Sequence, residues 1–199
     1  MFWKKQIKLT MPLFVFLAIW NCMAQSAFAG SIVSWGSMAF DSTQLDAKDF
    51  ITIAAGGFHS LALRSNGSIV GWGSNSSGQA TPPDGNDFVA IAAGGFHSLV
   101  LSSDGSIVGW GLDYYGQATP PAGNDFVAIA AGKRHSLALK SDGSIVGWGK
   151  NDYGQATPPS GNDYTAISAG SSHSLALKSD GSIVAWGDDS SGQATPRGE

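Results

Sequence analysis

Cysteine and charged residues are both scarce in this sequence, which has one cysteine and 13% charged residues among its 199. No long segment shows the 3.6-residue periodicity of amphipathic helices, which argues against a helical solenoid. Glycine, by contrast, is abundant at 27 residues. This composition favours short strands joined by tight turns over long surface helices. The apolar and aromatic content is too high for a disordered chain.

The first 29 residues have the order of a secretory signal peptide. Three lysines lie in the first eight residues, an apolar run covers residues 9–20, and Ala27-Phe28-Ala29 has the small-x-small pattern of a cleavage site. The apolar run is short for an uncleaved membrane anchor. A lipoprotein signal ending at Cys22 is a weaker alternative, because Asn21 is bulkier than the residue such a site needs. We therefore expect a signal peptide at 1–29, a mature domain at 30–199 without stable membrane insertion, and a secreted, periplasmic or cell-surface location.

Cleavage would change the chemistry that the chain has available. Removal of residues 1–29 takes away Cys22, and with it any disulfide, reactive thiol or thiolate metal site. It also removes three of the 11 basic residues and none of the 15 acidic ones, so the mature formal charge is 8 − 15 = −7. An acidic exported protein is a poor candidate for binding nucleic acid.

An internal repeat of 38 residues dominates the sequence. Histidine and tryptophan both recur at this spacing, at His59, His97, His135 and His173 and at Trp72, Trp110, Trp148 and Trp186. The complete units are 51–88, 89–126 and 127–164, and a shorter fourth unit covers 165–199. Residues 30–36 match the middle of a unit and stand alone as a partial N-terminal unit.

Each unit has the pattern of a small antiparallel sheet. In the second unit, apolar runs at 88–94 and 97–101 are followed by Asp104-Gly105 and a further apolar run at 106–111. Asp-Gly between apolar runs predicts a hairpin, because this dipeptide accepts the positive φ angles of a tight turn. Residues 116–119 predict a short outer strand. We therefore expect an all-β, β-propeller-like array of about four units with three or four strands each. A parallel β-helix is less favoured, because its rungs need no tight hairpin.

The unit is best preserved at residues 131–155, Ala-Gly-Lys-Arg-His-Ser-Leu-Ala-Leu-Lys-Ser-Asp-Gly-Ser-Ile-Val-Gly-Trp-Gly-Lys-Asn-Asp-Tyr-Gly-Gln. It resembles the regulator-of-chromosome-condensation repeat, in particular the short repeats of a secreted bacterial branch. The resemblance covers residues 30–199 and implies a β-propeller, commonly of seven blades. Four units and a fragment are too few for such a ring. A small closed ring, an open arc, an assembly of several chains and a truncated remnant of a longer protein all stay open.

The repeated polar residues indicate structural roles. Strand residues two apart share a face, so each histidine lies with the leucines that follow it, and we expect a buried, hydrogen-bonded side chain and no metal site. We expect the tryptophans to pack against the next unit and the Asp-Gly pairs to form turns. Each histidine and the adjacent serine point to opposite faces, which excludes them as a catalytic pair. The sequence contains no recognisable catalytic or cofactor motif, and we expect no cofactor.

Differences between the units locate a candidate binding surface. They concentrate just before each histidine and just after each Trp-Gly, and antiparallel strands should bring these two connections to the same rim. The candidate binding residues are Phe58, Phe96, Tyr114, Tyr115, Lys133, Arg134 and Tyr153. Neutral drift in exposed loops explains the differences equally well.

Aromatic and arginine side chains dominate interface energetics. The sequence thus favours an exported, non-enzymatic scaffold that binds another protein. The alternatives are an extracellular carbohydrate-binding protein, suggested by the aromatic-rich loops, and an enzyme with an unrecognised site. Neither end of the array has a polar cap, which predicts a small closed ring or self-association.

Overall fold

The computed structural model describes residues 49–196, and in this range the chain forms twelve β-strands and no helix. Each group of three consecutive strands makes one antiparallel sheet in chain order. The first and second sheets contain β1 Phe50–Ala55, β2 His59–Arg64, β3 Ile69–Gly73, β4 Phe88–Ala93, β5 His97–Ser102 and β6 Ile107–Gly111. The third and fourth contain β7 Phe126–Ala131, β8 His135–Lys140, β9 Ile145–Gly149, β10 Tyr164–Ala169, β11 His173–Lys178 and β12 Ile183–Gly187.

The predicted all-β array of four repeated sheets is confirmed. The sheets are the blades of a propeller-like fold, and each corresponds to one sequence unit. The expected signal peptide at 1–29 and the lone fragment at 30–36 lie outside the described residues. Between residues 49 and 196, no helix has the length and hydropathy needed to cross a bilayer.

The hairpin between the second and third strands of each sheet is closed by side-chain chemistry. In the second sheet, Gly105 has a φ of 84°, a conformation that glycine adopts without steric cost. The Asp104 carboxylate accepts hydrogen bonds from the backbone N–H of Ser106 at 2.9 Å and from its hydroxyl at 2.7 Å. In the first sheet, the side-chain amide oxygen of Asn66 accepts the equivalent two hydrogen bonds from Ser68. The turn role expected for these residues therefore has a local cause.

The short outer strand expected at residues 116–119 is not formed, and that expectation was wrong. Thr119 donates its backbone N–H to the Gly116 carbonyl at 3.1 Å, which closes a turn. The Gln117 side chain is fully buried, and its Oε1 accepts a hydrogen bond from the Tyr115 N–H at 2.8 Å. A side chain that satisfies nearby backbone groups in this way competes with strand pairing. Each sheet therefore has three strands.

A bulge in the first strand of each sheet changes which residues share a face. In the third sheet the register shifts between Phe126 and Ala128. The extra residue leaves Val127 51% exposed. Phe126 and Ile129, three positions apart, then pack into the same cluster. A bulge is the device that permits such a spacing in a strand, where residues two apart normally share a face.

The sheets pack face to face in chain order, and the hydrophobic core lies between them. We call the face that packs on the next sheet the forward face and the opposite one the backward face. The forward face of the second sheet presents His97, Leu99, Leu101 and Ile107. The backward face of the third sheet, which covers it, presents Phe126, Ile129, Ser136, Ala138 and Trp148.

The tryptophans pack in the opposite direction from the one expected. Trp148 lies directly across from Ser136 in the strand pairing, and residues in that relation share a face. This is the backward face, so the Trp148 ring packs on the second sheet. Trp186 packs on the third sheet in the same way. The expected contact with the next unit was wrong, because strand register fixes the ring on the side of the preceding unit.

Candidate functional site

The connection before each histidine and the connection after each Trp-Gly lie at the same end of every sheet. In all four sheets the residue after Trp-Gly donates its backbone N–H to the carbonyl of the residue before histidine. The pairs are Ser74 to Phe58, Leu112 to Phe96 and Lys150 to Arg134, each at 2.8 Å, and Asp188 to Ser172 at 2.9 Å. We call the surface formed by these two connections the variable rim; it comprises residues 57–58, 74–77, 95–96, 112–115, 133–134, 150–153, 171–172 and 188–191.

Backbone hydrogen bonds also join the rim from one sheet to the next. The donors and acceptors are Gly57 to Gly94 at 2.9 Å, Gly95 to Gly132 at 3.2 Å and Lys133 to Gly170 at 3.3 Å. A Cβ atom added at Gly95 would lie 2.5 Å from the Lys133 carbonyl oxygen, so only glycine permits this close approach. The turns before the histidines therefore form a continuous row that fixes the side chains they carry.

Two aromatic clusters lie on the variable rim. Phe58 is 60% exposed, and its ring centroid is 5.1 Å from that of Phe96. Tyr115 forms the centre of the second cluster, with the Tyr114 ring packed edge-on at 4.8 Å. The Arg134 guanidinium lies 5.5 Å from the Tyr115 ring centroid and donates to its hydroxyl at 3.3 Å. Five of the seven candidate residues thus belong to these two clusters. A sixth, Lys133, lies in the adjoining row of backbone hydrogen bonds.

The seventh candidate, Tyr153, is 57% exposed and makes no ring contact with either cluster within the described range. The sequence interpretation also missed Lys150, whose ammonium lies 5.2 Å from the Tyr115 ring centroid. Its position directly after Trp-Gly, where the units vary, was the available signal. Tyr115 therefore has cations from two connections beside its ring.

Three of the four acidic side chains of the rim, those of Asp113, Asp188 and Asp189, are engaged in local turns. The Asp113 carboxylate accepts from the Ala118 N–H and the Thr119 hydroxyl, both at 2.6 Å. In the fourth sheet, hydrogen bonds from the Thr195 hydroxyl and the Ala194 N–H lower the pKa of the Asp189 carboxyl. Lys133, by contrast, has no ion-pair partner among residues 49–196. The third unit therefore presents a small cationic area on an acidic protein.

A buried hydrogen-bond relay joins each pair of neighbouring sheets. Between the second and third sheets, His97 Nε2 lies 2.9 Å from Ser136 Oγ, which donates to the Gln117 carbonyl at 2.9 Å. Trp148 Nε1 donates to the same carbonyl at 3.0 Å. The same four positions are linked at the other two junctions, by His59, Ser98, Gln79 and Trp110 and by His135, Ser174, Gln155 and Trp186.

The relay fixes the protonation of its histidine. The Ser136 hydroxyl donates its only hydrogen to the Gln117 carbonyl, so it can only accept in its hydrogen bond with His97. His97 Nε2 therefore carries a hydrogen, and the neutral ring is the tautomer protonated at Nε2. Burial lowers the pKa of His97 to about 4, with a smaller effect from the neighbouring histidines. Burial also lowers the pKa of His135 to about 4. A neutral ring already protonated at Nε2 cannot take the serine proton, so the pair does not form a nucleophile and base.

The relay also explains two residues that sequence reasoning overlooked. The serine was considered only as a catalytic partner of its adjacent histidine, whereas it bonds the histidine of the preceding unit, 39 residues earlier. A Cβ atom at Gly94 would lie 2.3 Å from His97 Cε1, so the ring packs directly on the glycine backbone. The recurrence of Gly-x-x-His-Ser in every unit was the available signal. Among the described residues, no group of three or more potential ligands is placed to hold a metal ion.

Comparison with known proteins agrees with this architecture. A sequence model of the regulator of chromosome condensation (RCC1) repeat matches residues 50–79, 88–117, 126–155 and 164–193, more than half of the chain.

Similar solved structures include yeast RCC1 (Prp20), which is 22% identical with a TM-score of 0.62 over 70% of this chain and 44% of that one. The ectodomain of the receptor kinase CR4 from Physcomitrella patens is 27% identical, with a TM-score of 0.62 over 70% of this chain and 39% of that one. The ectodomain of the receptor kinase ACR4 from Arabidopsis thaliana is 27% identical, with a TM-score of 0.58 over 69% of this chain and 50% of that one. The chain therefore spans half or less of the length of these proteins. It belongs to the regulator of chromosome condensation (RCC1) repeat family.

Proposed function

We propose that the chain is an exported, non-enzymatic scaffold that binds a protein partner through its variable rim. The observation that carries the proposal is the pair of phenylalanine rings in contact, with Phe58 60% exposed and Phe96 partly buried, beside the cluster centred on Tyr115. Aromatic and arginine side chains supply most of the energy of protein interfaces. The backbone row beneath them holds these groups in place before binding, which reduces the entropy cost of association.

The charges of the rim favour a partner segment with carboxylates next to an apolar or aromatic side chain. Lys133 and Arg134 lie side by side in the third unit, and Lys150 adds a further cation beside Tyr115. Asp152 lies 3.0 Å from Lys150 and offsets part of this charge. The formal net charge of the whole chain is −4, so attraction of an acidic segment would be confined to this area of the surface.

Relatives support a binding role in general terms. Yeast RCC1 (Prp20) has been crystallised with Kap60 bound. The binding of Prp20p to Gsp1p and histones has also been studied. These partners belong to those proteins, and what they support here is the use of the fold as a protein-binding scaffold. Export of this chain rests on the order of its first 29 residues.

The test is a triple variant in which Phe96, Tyr115 and Arg134 are replaced by alanine. Parent and variant, immobilised separately, are exposed to culture medium, and captured proteins are identified by mass spectrometry. We expect the melting temperature to change little and the capture of specific proteins to be lost, because the three side chains lie on the rim and outside the core clusters.

The matched control replaces Val89 and Val127 by alanine; these side chains are exposed and lie at the opposite end of their strands from the rim. This variant should capture the same proteins as the parent. Equal capture by the triple variant would place the binding surface elsewhere. Retention of glycans on an array, with no protein captured, would favour the carbohydrate alternative and would direct attention to Tyr114, whose side chain is 80% exposed.

A further inference from the structure

The hairpin of the first sheet differs in its chemistry from the other three. Its turn contains Asn66 followed by Gly67, whereas the equivalent pairs begin with Asp104, Asp142 and Asp180. The conformation of the turn is nevertheless the same. The Asn66 carboxamide oxygen accepts from the N–H and the hydroxyl of Ser68 at 3.0 and 2.8 Å, and the Asp142 carboxylate accepts from those of Ser144 at 2.9 and 2.6 Å. The hairpin therefore accommodates either side chain.

An asparagine that precedes glycine can lose its side-chain amide without an enzyme, because glycine has no side chain to keep its backbone nitrogen away from the asparagine. The Gly67 nitrogen would form a bond to Asn66 Cγ, the Cγ–Nδ2 bond would break, and ammonia would leave with the proton of the Gly67 nitrogen. One water molecule then opens the resulting succinimide ring. Opening at one carbonyl gives the aspartate form. Opening at the other gives the isoaspartate form, whose main chain is longer by one carbon.

The folded hairpin holds the reacting atoms apart. The Gly67 N–H donates to the Arg64 carbonyl at 3.0 Å, which keeps the proton on the nitrogen that must attack. The two hydrogen bonds from Ser68 fix the orientation of the Asn66 carboxamide. Both restraints must be released before the Gly67 nitrogen can reach Asn66 Cγ. In the folded chain the reaction therefore requires local opening of this hairpin.

The surroundings of Gly67 also distinguish the two products. Gly67 has a φ of 82°, and a Cβ atom added to it would collide with the Asn86 carbonyl oxygen of the next connection. An additional main-chain carbon before Gly67 would displace it from this contact and from the Arg64 carbonyl. The aspartate form needs no such displacement, because three of the four hairpins already contain aspartate at this position.

We propose that Asn66 is a modification site, where spontaneous deamidation is gated by opening of the first hairpin and only the aspartate product returns to the native fold. The modified turn then matches the other three, and the formal net charge of the chain changes from −4 to −4 − 1 = −5. The hairpin lies at the end of β2 and the start of β3, opposite the variable rim. The proposal is thus independent of the binding role.

The gate is tested on the full chain, incubated at mildly alkaline pH either folded or unfolded in urea, with deamidation followed by mass spectrometry of peptides. We expect reaction at Asn66 to be slower in the folded chain by at least about tenfold, which corresponds to an opening free energy of about 1.4 kcal/mol. Asn86, Asn124 and Asn162 precede aspartate and should stay intact. Equal rates in the two states, or reaction at Asn66 no faster than at these three when unfolded, would overturn the proposal.

A matched pair of variants tests the role of the turn. Ser68→Ala removes one hydrogen bond to the Asn66 carboxamide and should accelerate the reaction about fivefold in the folded chain, the factor for about 1 kcal/mol. It should leave the rate in the unfolded chain unchanged. Ser106→Ala makes the same change in the second hairpin and should leave the rate at Asn66 unchanged in both states. Equal acceleration by both variants would contradict a local gate.

The selection of products is tested by refolding. Chain that has reacted in urea is refolded and treated briefly with protease, and fragmentation in the mass spectrometer distinguishes the two products at position 66. We expect the isoaspartate form in the digested fraction and the aspartate form in the resistant fraction. Asn66→Asp should have the urea midpoint of the parent. Equal proportions of the two products in both fractions, or a strongly lowered midpoint for Asn66→Asp, would refute the selection.

Discussion

The relay serine provides the most direct test of how neighbouring sheets are held together. In Ser136→Ala, His97 Nε2–H loses its acceptor in an interface where both side chains are fully buried. Leaving a buried donor unsatisfied costs about 1–3 kcal/mol, and loss of the hydrogen bond to the Gln117 carbonyl adds about 1 kcal/mol. That carbonyl keeps its hydrogen bond from Trp148 and is not itself left unsatisfied. We therefore expect a loss of about 2–4 kcal/mol in the free energy of unfolding.

The chain contains its own control for this substitution. Ser60→Ala removes the same hydroxyl from the equivalent position of the first sheet, where it makes no hydrogen bond to the described residues. It should cost less than about 0.5 kcal/mol, as do most substitutions without a lost partner. The assay is urea unfolding followed by tryptophan fluorescence, at a concentration low enough for the chain to be monomeric. Equal losses for Ser136→Ala and Ser60→Ala, or no measurable loss for Ser136→Ala, would refute the relay as a source of stability.

Three further predictions concern the core, the histidines and the leader. Trp148→Ala should lower the free energy of unfolding by about 3–5 kcal/mol, the range for large core aromatics, and a loss below about 1 kcal/mol would contradict its packing role. Because burial lowers the pKa of His97 and His135 from 6.5 to about 4, the unfolded chain binds protons first as the pH falls. Each histidine then contributes on the order of 3 kcal/mol of stability above pH 6.5, which is lost between pH 6.5 and pH 4, and equal urea midpoints at neutral pH and near pH 4 would disprove this. N-terminal sequencing of exported protein should begin at Gly30, and recovery of the intact chain from membranes would show that no cleavage occurs after Ala29.

The features that the sequence predicted correctly are those with a local cause. The turn at Asp104-Gly105 is specified by the glycine backbone and by the hydrogen bonds of the Asp104 carboxylate to Ser106, so the local sequence is enough to predict the hairpin. The position of the rim follows from strand direction alone, because antiparallel strands return their connections to the same end. The bulge at Val127 was missed, since an apolar residue there looks like any other strand residue.

The features that were missed depend on neighbouring units. Gln117 looks like a strand residue in its own unit, and its role becomes clear only from the serine and tryptophan of the following unit that bond its carbonyl. The direction of the Trp148 ring also depends on strand register across the hairpin. Similarly, Lys150 reaches Tyr115 from the next unit, a contact that spacing within one unit does not indicate.

The spacing of the relay has a consequence for how such a chain can change in length. Its three links join residues 39, 19 and 31 positions apart at every junction. Duplication or deletion of one whole 38-residue unit would therefore leave every remaining junction with the same partners. A gene for this protein can lengthen or shorten in whole units without compensating substitutions in the core. The rim connections, which take no part in the relay, are free to diverge from copy to copy after each duplication.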